Sequence, residues 1–486
     1  MERPADLFDR TTEWSVLRSF VESDRPGATL ALVYGRRRQG KTYLLDAMST
    51  ACEGFFFSAL AQSRTQNLAR LADHYRAFAG IGAPVHFSDW DEALRSVMAL
   101  GEGAERPVPV VIDELPYLLA DSPELPSLLQ ELLRPRSAAA TRWRTRLVLC
   151  GSALSVMRGL LTGSAPLRGR ASAELMVHPF EFREAAEFWG ARDLDVAVRL
   201  HALVGGTPAY RDMAAASGPP PARSFDEWVV RHLLHPSSAM YREGHVLLAE
   251  EDRITDTSLY FAVLAAIASG RSRRSEIAQA IGRADAAIAH PLAVLTEARF
   301  VEASDDPLRQ RRTSFRLAEP ILRLHQLVVA PNTRLLDRGR GTDVWDAHQD
   351  TVSARIYGPH FEGLARKWAA DHASQESLGG FANKVGSSTV SCRAHRVTHE
   401  LDVVCVESVP QQPSRIIALG EAKWSSSLVG VDVLHRLEHA RELLPDAEHA
   451  RLLVFARRGF DAELRRAAAA RNDVELVDLE RLYSGT

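Results

Sequence analysis

Three short runs in the first third of the chain are almost wholly apolar: ATLALVYG (28–35), PVPVVIDE (107–114) and TRLVLCGS (145–152). Runs of this length, rich in valine, isoleucine and leucine and closed by polar or turn residues, predict strands. The longer stretches between them carry helical periodicity, and alternation of the two predicts an α/β domain. SGPPPARS (217–224) reads as a loop where a helical lid begins.

The pattern then changes. SLYFAVLAAIASG (258–270), SRRSEIAQAIG (272–282) and DAAIAHPLAVLTEARFVEA (285–303) predict three amphipathic helices, with Gly270 and Gly282 where helix C-termini favour glycine. Pro291 is expected to kink the third. Two strand-like segments flank the polar tip DDPLRQRR (305–312), completing a winged helix-turn-helix order in which Arg309, Arg311 and Arg312 would meet phosphates. PNTRLLDRGRGTDVWD (331–346) has no periodicity and reads as a linker. Beyond it follow a helix from Phe361 to His372, strands near 398–407 and 414–424, and two further helix–strand patterns, a second α/β unit. The division expected is 1–245, 246–335 and 336–486.

Composition narrows the class. A chain of 486 residues exceeds one hydrophobic core. No run approaches the roughly 20 apolar residues of a membrane span, so no membrane partner is expected. The start, MERPADLFDRTTEW, lacks a secretory apolar core, and the four cysteines form no CxxC pair, so a cytoplasmic location is expected. A net charge of −3 excludes a uniformly basic coat, although Gly270 to Arg340 holds 13 arginines against 8 acids. Of 59 basic residues only four are lysines, Lys41, Lys367, Lys384 and Lys423. A lysine kept in so arginine-rich a chain suggests positions where a compact ammonium matters.

Lys41 lies in GRRRQGKT (35–42), which fits G-x-x-x-x-G-K-[ST] between a strand and the helical run KTYLLDAM. Gly35 and Gly40 let the backbone N–H groups of the loop, through Arg36, Arg37, Arg38 and Gln39, turn toward a triphosphate. Lys41 would reach the β/γ-phosphates and Thr42 would hold Mg²⁺, at a helix N-terminus that favours anions. The strand PVVID ends in Asp113 and Glu114. Asp113 would complete the Mg²⁺ shell and Glu114 would polarise the attacking water. ATP and Mg²⁺ are therefore the expected ligands.

Lys423 closes the strand RIIALGEAKW, and HELDVVCV (399–406) precedes it. Glu421 and Lys423 alternate by two and share a strand face. Adjacent antiparallel strands would bring Asp402 beside Glu421 to share a divalent cation, Mg²⁺ with Mn²⁺ as an alternative. A lysine there would activate water and stabilise charge on a phosphodiester. Glu362, on the preceding helix, is the candidate third acid.

The segments LFDRTTEW, YGRRRQGKT, VVIDELPYLL, LVLCGSALSVM, PLRGRASAEL, HPFEFREAAEF and LVGGTPAYR, in that order, resemble the archaeal-type ATPases of the STAND branch of AAA+-related NTPases. The resemblance spans roughly residues 7–245. It implies a P-loop AAA+-like core, with Ser152 as γ-phosphate sensor, Arg170 responding to nucleotide or reaching a neighbouring subunit of a homo-oligomer, and Pro208 against adenine. Residues 347–486 resemble the PD-(D/E)xK nuclease superfamily, a restriction-endonuclease-like α/β fold often attached to such ATPases. Leu401 stands where the motif name has proline. That resemblance implies Asp402 and Glu421 as metal ligands, Lys423 as the catalytic lysine, Glu362 as an accessory acid, and nucleic acid, DNA foremost, as the partner.

Overall fold

The computed structural model describes residues 1–486 apart from positions 217, 252, 255 and 310. The predicted loop 217–224 and polar tip 305–312 each include one residue outside the described set. No helix among the described residues is long and apolar enough to cross a membrane. The chain divides into two compact units, Met1–Pro179 with Glu251–Arg253, and Phe180–Glu250 with Ile254–Thr486.

In the first unit five strands form one parallel sheet: β1 Thr29–Tyr34, β2 Phe55–Ser58, β3 Val108–Asp113, β4 Thr145–Gly151 and β5 Ala171–Met176, in the order β2-β3-β4-β1-β5. The three long apolar runs supply the central strands. They are buried along nearly their whole length, which is why they read as continuous rather than alternating. Burial of each such Leu or Val side chain stabilises by roughly 1.5–3 kcal/mol. The order interposes β4 between β1 and β3, so three strand tips open at the same end of the sheet. Arg146, a charge inside an apolar run, is fully buried in β4. Its guanidinium donates to the carbonyls of Ser23, Arg25 and Gly27 and so ties down the segment that enters β1.

The second unit is richer in helix. Helices Thr257–Ala268, Arg274–Ala280 and Ala289–Glu297 precede an antiparallel hairpin of β6 Val301–Asp305 and β7 Thr313–Leu317. The third helix is shorter than its sequence suggests. Pro291 sits in its first turn, after a 3₁₀ turn over Asp285–Ile288, where a missing N–H costs nothing, so the expected mid-helix kink does not arise. The segment 331–346 is likewise not a linker but two helices, Ala330–Leu336 and Gly341–Ala347. Pro331 falls in a first turn, and Leu336, Val344 and Trp345 bury into a core running from Trp189 to Tyr357. The stretch is polar in sequence yet anchored by these three side chains.

A second sheet follows, of β8 Lys384–Cys392, β9 Val397–Glu407, β10 Arg415–Lys423, β11 Arg451–Ala456 and β12 Val474–Asp478, ordered β12-β11-β10-β9-β8. β10, β11 and β12 run parallel, whereas β8, β9 and β10 are antiparallel. Helix Gly358–Asp371 covers one face, with Phe361, Leu364 and Trp368 against Val403, Cys405 and Ile417. Helix Val431–Glu442 covers the other, with Val433, Leu434 and Leu437 against Leu401, Val404 and Leu419.

Candidate functional site: a phosphate-binding loop and a buried carboxylate cluster

The loop after β1 turns directly into helix Lys41–Ala51, whose N-cap is Gly40 at φ 83°. That left-handed conformation favours glycine. Gly35 is required for a different reason: a Cβ there would lie 2.3 Å from the carbonyl oxygen of Val177. Arg38 also takes a positive φ, 68°. The loop is braced from outside, because Arg10 donates to the carbonyl of Gln39 at 3.0 Å. Sequence inspection missed Arg10, and nothing in its local pattern marks it.

Lys41 is buried, with Nζ donating to the carbonyl of Arg36 at 2.8 Å. Burial depresses its pKa, and the nearby charges of Glu114 and Asp113 oppose that shift. Thr42 Oγ1 donates to Asp113 Oδ2 at 2.7 Å, so two hard oxygens from the helix and β3 meet below the loop. A hydroxyl and a carboxylate so placed fit the oxygen preference of Mg²⁺. Glu114, next along, has a left-handed φ of 53°. Its carboxylate accepts from Ser152 Oγ at 3.0 Å, at the tip of β4. Arg37 reaches the same hydroxyl, Nε to Oγ 3.3 Å, and also donates to Tyr117 Oη at 2.8 Å. Strand order has thus joined Lys41, Thr42, Asp113, Glu114, Ser152 and Arg37 at one end of one sheet.

Residues 7–210 match the profile of a family described as an ATPase domain predominantly from Archaea. This segment is similar to ATPase domains of the archaeal type. An uncharacterized protein of Methanocaldococcus jannaschii is 21% identical over 367 residues, covering 74% of this chain and 76% of its own. Among solved structures, a Walker-type ATPase of Pyrococcus abyssi is 20% identical, with 67% of this chain and 97% of that chain covered and a TM-score of 0.47. The Aeropyrum pernix ORC2 protein, in its ADPNP–ADP complexes, is 18% identical, with 72% and 97% covered and a TM-score of 0.40.

The resemblance also assigns Arg170 and Pro208 to the nucleotide site. Arg170 immediately precedes β5, and the register pairs Ala171 with Leu30 at the start of β1. The loop begins beyond Tyr34, at the other end of that strand, a separation of roughly 15 Å at 3.3 Å per residue. Arg170 donates to the carbonyl of Leu133 at 3.3 Å and lines an open groove of about 670 Å³ with Ser15, Phe20 and Arg25. Pro208 belongs to the second unit, where it forms the N-cap of helix Ala209–Met213.

In the second unit the structure gathers Glu362, Asp402, Glu421 and Lys423. Pairing of β9 with β10 runs to Val403↔Gly420, one step before Asp402 and Glu421. The Ala422 N–H donates to Asp402 Oδ2 at 2.9 Å, and Lys423 Nζ pairs with a Glu421 carboxylate oxygen. Burial, then the charges of Glu362 and Glu421, raise the Asp402 carboxyl to about 7, with the Ala422 N–H and Lys423 opposing. Glu362 is also raised, chiefly by burial.

Arg366, unforeseen from sequence, donates to the carbonyl of Asp402 at 2.7 Å, and burial lowers it to about 10. It lies one helical turn after Glu362, an i,i+4 spacing that could have signalled it. Arg316 of β7 and Glu400 of β9 also act on Glu362 electrostatically. A buried surplus of carboxylate suits a divalent cation. Among the described residues, however, the oxygens of Glu362, Asp402 and Glu421 do not all lie within 4.8 Å of one another. Of the hairpin arginines, Arg309 donates to the carbonyl of Thr389 at 2.7 Å and Arg312 lies 3.8 Å from Asp306.

Proposed function

We propose that this chain is an ATPase in which a nucleotide site controls a metal-dependent, nuclease-like site acting on nucleic acid, DNA in the first place. Lys41 would hold the β/γ-phosphates, while Ser152 and Glu114, already hydrogen-bonded, would orient and polarise the attacking water. Mg²⁺, bound through Thr42 and Asp113, would neutralise charge between the phosphates. Because Arg170 lies at the far end of its own sheet, its nucleotide contact is read as one made to a neighbouring copy in a homo-oligomer. Pro208 is read as the adenine-side residue.

The observation that carries the nuclease reading is the convergence of Glu362, Asp402, Glu421 and Lys423 from one helix and two strands. Asp402 and Glu421, with Glu362 assisting, would bind Mg²⁺ or Mn²⁺, which would supply an activated water and a Lewis acid for phosphodiester cleavage. Lys423 would stabilise the charge that develops on the phosphate. In this reading residues 1–245 form the motor, 246–335 a winged-helix relay and 336–486 the effector, working in the cytoplasm.

A second reading, a nucleotide-switched scaffold whose C-terminal part binds nucleic acid or protein without cutting, is favoured by the pairing of Lys423 with Glu421 and by the open carboxylate set. The deciding experiment incubates the protein with Mg²⁺ or Mn²⁺ and single- or double-stranded DNA and RNA, with and without ATP, beside Lys423→Ala. Metal-dependent cleavage lost in the variant supports the nuclease. No cleavage of any substrate, or equal cleavage by the variant, leaves the scaffold.

A further inference from the structure

The β8–β9 hairpin and helix Val431–Glu442 enclose a second donor cluster, chemically unlike the first. Cys392 ends β8 and is buried, His399 stands near the start of β9, and His439 lies in the last turn of the helix. One donor atom from each lies within 4.8 Å of the other two. His395, in the hairpin turn, places Nδ1 3.2 Å from the Cys392 Sγ. The His439 ring centroid is 5.4 Å from that of His395 and 5.2 Å from that of His399. His399 and His439 each bury an Nε2 that has no hydrogen-bond partner.

Buried, unpartnered ring nitrogens are costly, and a folded chain rarely keeps two beside a thiol. A ligand that accepts nitrogen and sulfur lone pairs removes the cost. We propose that Cys392, His395, His399 and His439 bind one Zn²⁺ ion as a closed structural site.

One sulfur and three imidazole nitrogens are a donor set that Zn²⁺ takes tetrahedrally, with Zn–S near 2.3 Å and Zn–N near 2.0–2.1 Å. Those bond lengths put neighbouring donors roughly 3.3–3.8 Å apart, so Cys392, His399 and His439 close on the ion with about an ångström of movement, and His395 swings in from the exposed turn as the fourth ligand. The spacing C-x₂-H-x₃-H, with His439 arriving from a helix, is that of a hairpin clip. Soft and borderline donors discriminate against Mg²⁺, which the carboxylate cluster prefers.

The two clusters also draw on different helices. Leu401, two residues after His399, packs with Val433 and Leu437 of the helix that carries His439. Asp402 instead faces Glu362 of helix Gly358–Asp371. Zinc would therefore pin the free end of the hairpin to its covering helix, and with it the start of the strand that bears Asp402. His395 is exposed and offers the route of entry.

The test uses the full chain, loaded with Zn²⁺, freed of excess and held in millimolar Mg²⁺, with metal content measured by mass spectrometry. A Co²⁺-substituted sample is read by absorbance. The expected result is about one zinc per chain, together with a thiolate-to-cobalt charge-transfer band and the intense visible bands of tetrahedral Co²⁺. Cys392→Ser should abolish the charge-transfer band. His399→Gln and His439→Gln should each lower zinc affinity at least tenfold by chelator competition, while Asp402→Asn keeps the metal. Absence of the charge-transfer band in the wild-type chain overturns the proposal whether or not any variant folds. So does zinc retained equally in both histidine variants, or lost in Asp402→Asn alone.

Discussion

Ser152 Oγ donates a 3.0 Å hydrogen bond to Glu114 Oε2, across two neighbouring strand tips of one parallel sheet. The bond makes Ser152 the residue that holds the water-activating carboxylate as well as the one nearest a γ-phosphate on the proposed reading. Ser152→Ala is expected to lower kcat for ATP about 10- to 100-fold, with KM nearly unchanged, because positioning and not ground-state binding is lost. A steady-state assay with both parameters resolved checks this, and an equal loss confined to KM would contradict it.

Lys41 is a buried ammonium held below its usual pKa by desolvation. Lys41→Ala removes that burden, so the nucleotide-free protein should melt no lower than wild type. The rise in Tm on adding ATP and Mg²⁺ should vanish, since binding stabilises only in proportion to affinity. Thermal scans with and without nucleotide, alongside ATPase turnover, measure both halves. Retained turnover would remove Lys41 from its assigned role.

The two loop glycines should differ in their response to alanine. At Gly35 the added methyl meets a fixed backbone carbonyl, so Gly35→Ala should cost on the order of 2 kcal/mol or more. At Gly40 the space is open and only the left-handed backbone objects, costing about 1–2 kcal/mol. Chemical denaturation of the two variants ranks them, and the reverse order would refute the geometry.

Arg366 is a buried cation set among Glu362, Asp402 and Arg316. Arg366→Met should destabilise by about 3–5 kcal/mol, because it strands buried carboxylates. Adding Glu362→Gln should recover part of that loss. A double-mutant cycle in urea checks the coupling, and strictly additive effects would show that the pair does not interact.

His201 and His360 face each other, Nδ1 to Nε2 2.9 Å. Burial lowers His201 from 6.5 to about 4, and burial with the His201 charge drives His360 well down. Both bind fewer protons folded than unfolded, so stability is complete above pH 6.5 and falls as pH drops from 6.5 toward 4. At roughly 1.4 kcal/mol per pH unit, His201 alone removes on the order of 3 kcal/mol by pH 4. His201→Gln should flatten the unfolding free energy over that window. An unchanged slope would count against the assignment.

The reach of the sequence is clearest where chemistry and fold depend on neighbours in the chain. GRRRQGKT between a strand and a helix, and the strand ending in Asp113-Glu114, were legible because a phosphate-binding loop needs consecutive N–H groups and the glycines that aim them. The strands β1, β3, β4, β9 and β10 announced themselves by apolar runs. β2, four residues long, and β5, with only one buried residue among six, gave no such run. The linker reading of 331–346 failed because three buried side chains suffice to dock two short helices, too few to leave a period.

What tertiary structure alone decided is which distant residues meet. Interposing β4 between β1 and β3 places Ser152 against Glu114, and the parallel register sends Arg170 to the far end of the sheet. Folding one helix over each face of one sheet brings Glu362 toward Asp402 and His439 beside Cys392 and His399. Periodicity records whether a residue is buried. It carries no record of the partner across the sheet, because long-range pairing is fixed by strand order and register, which local sequence does not encode.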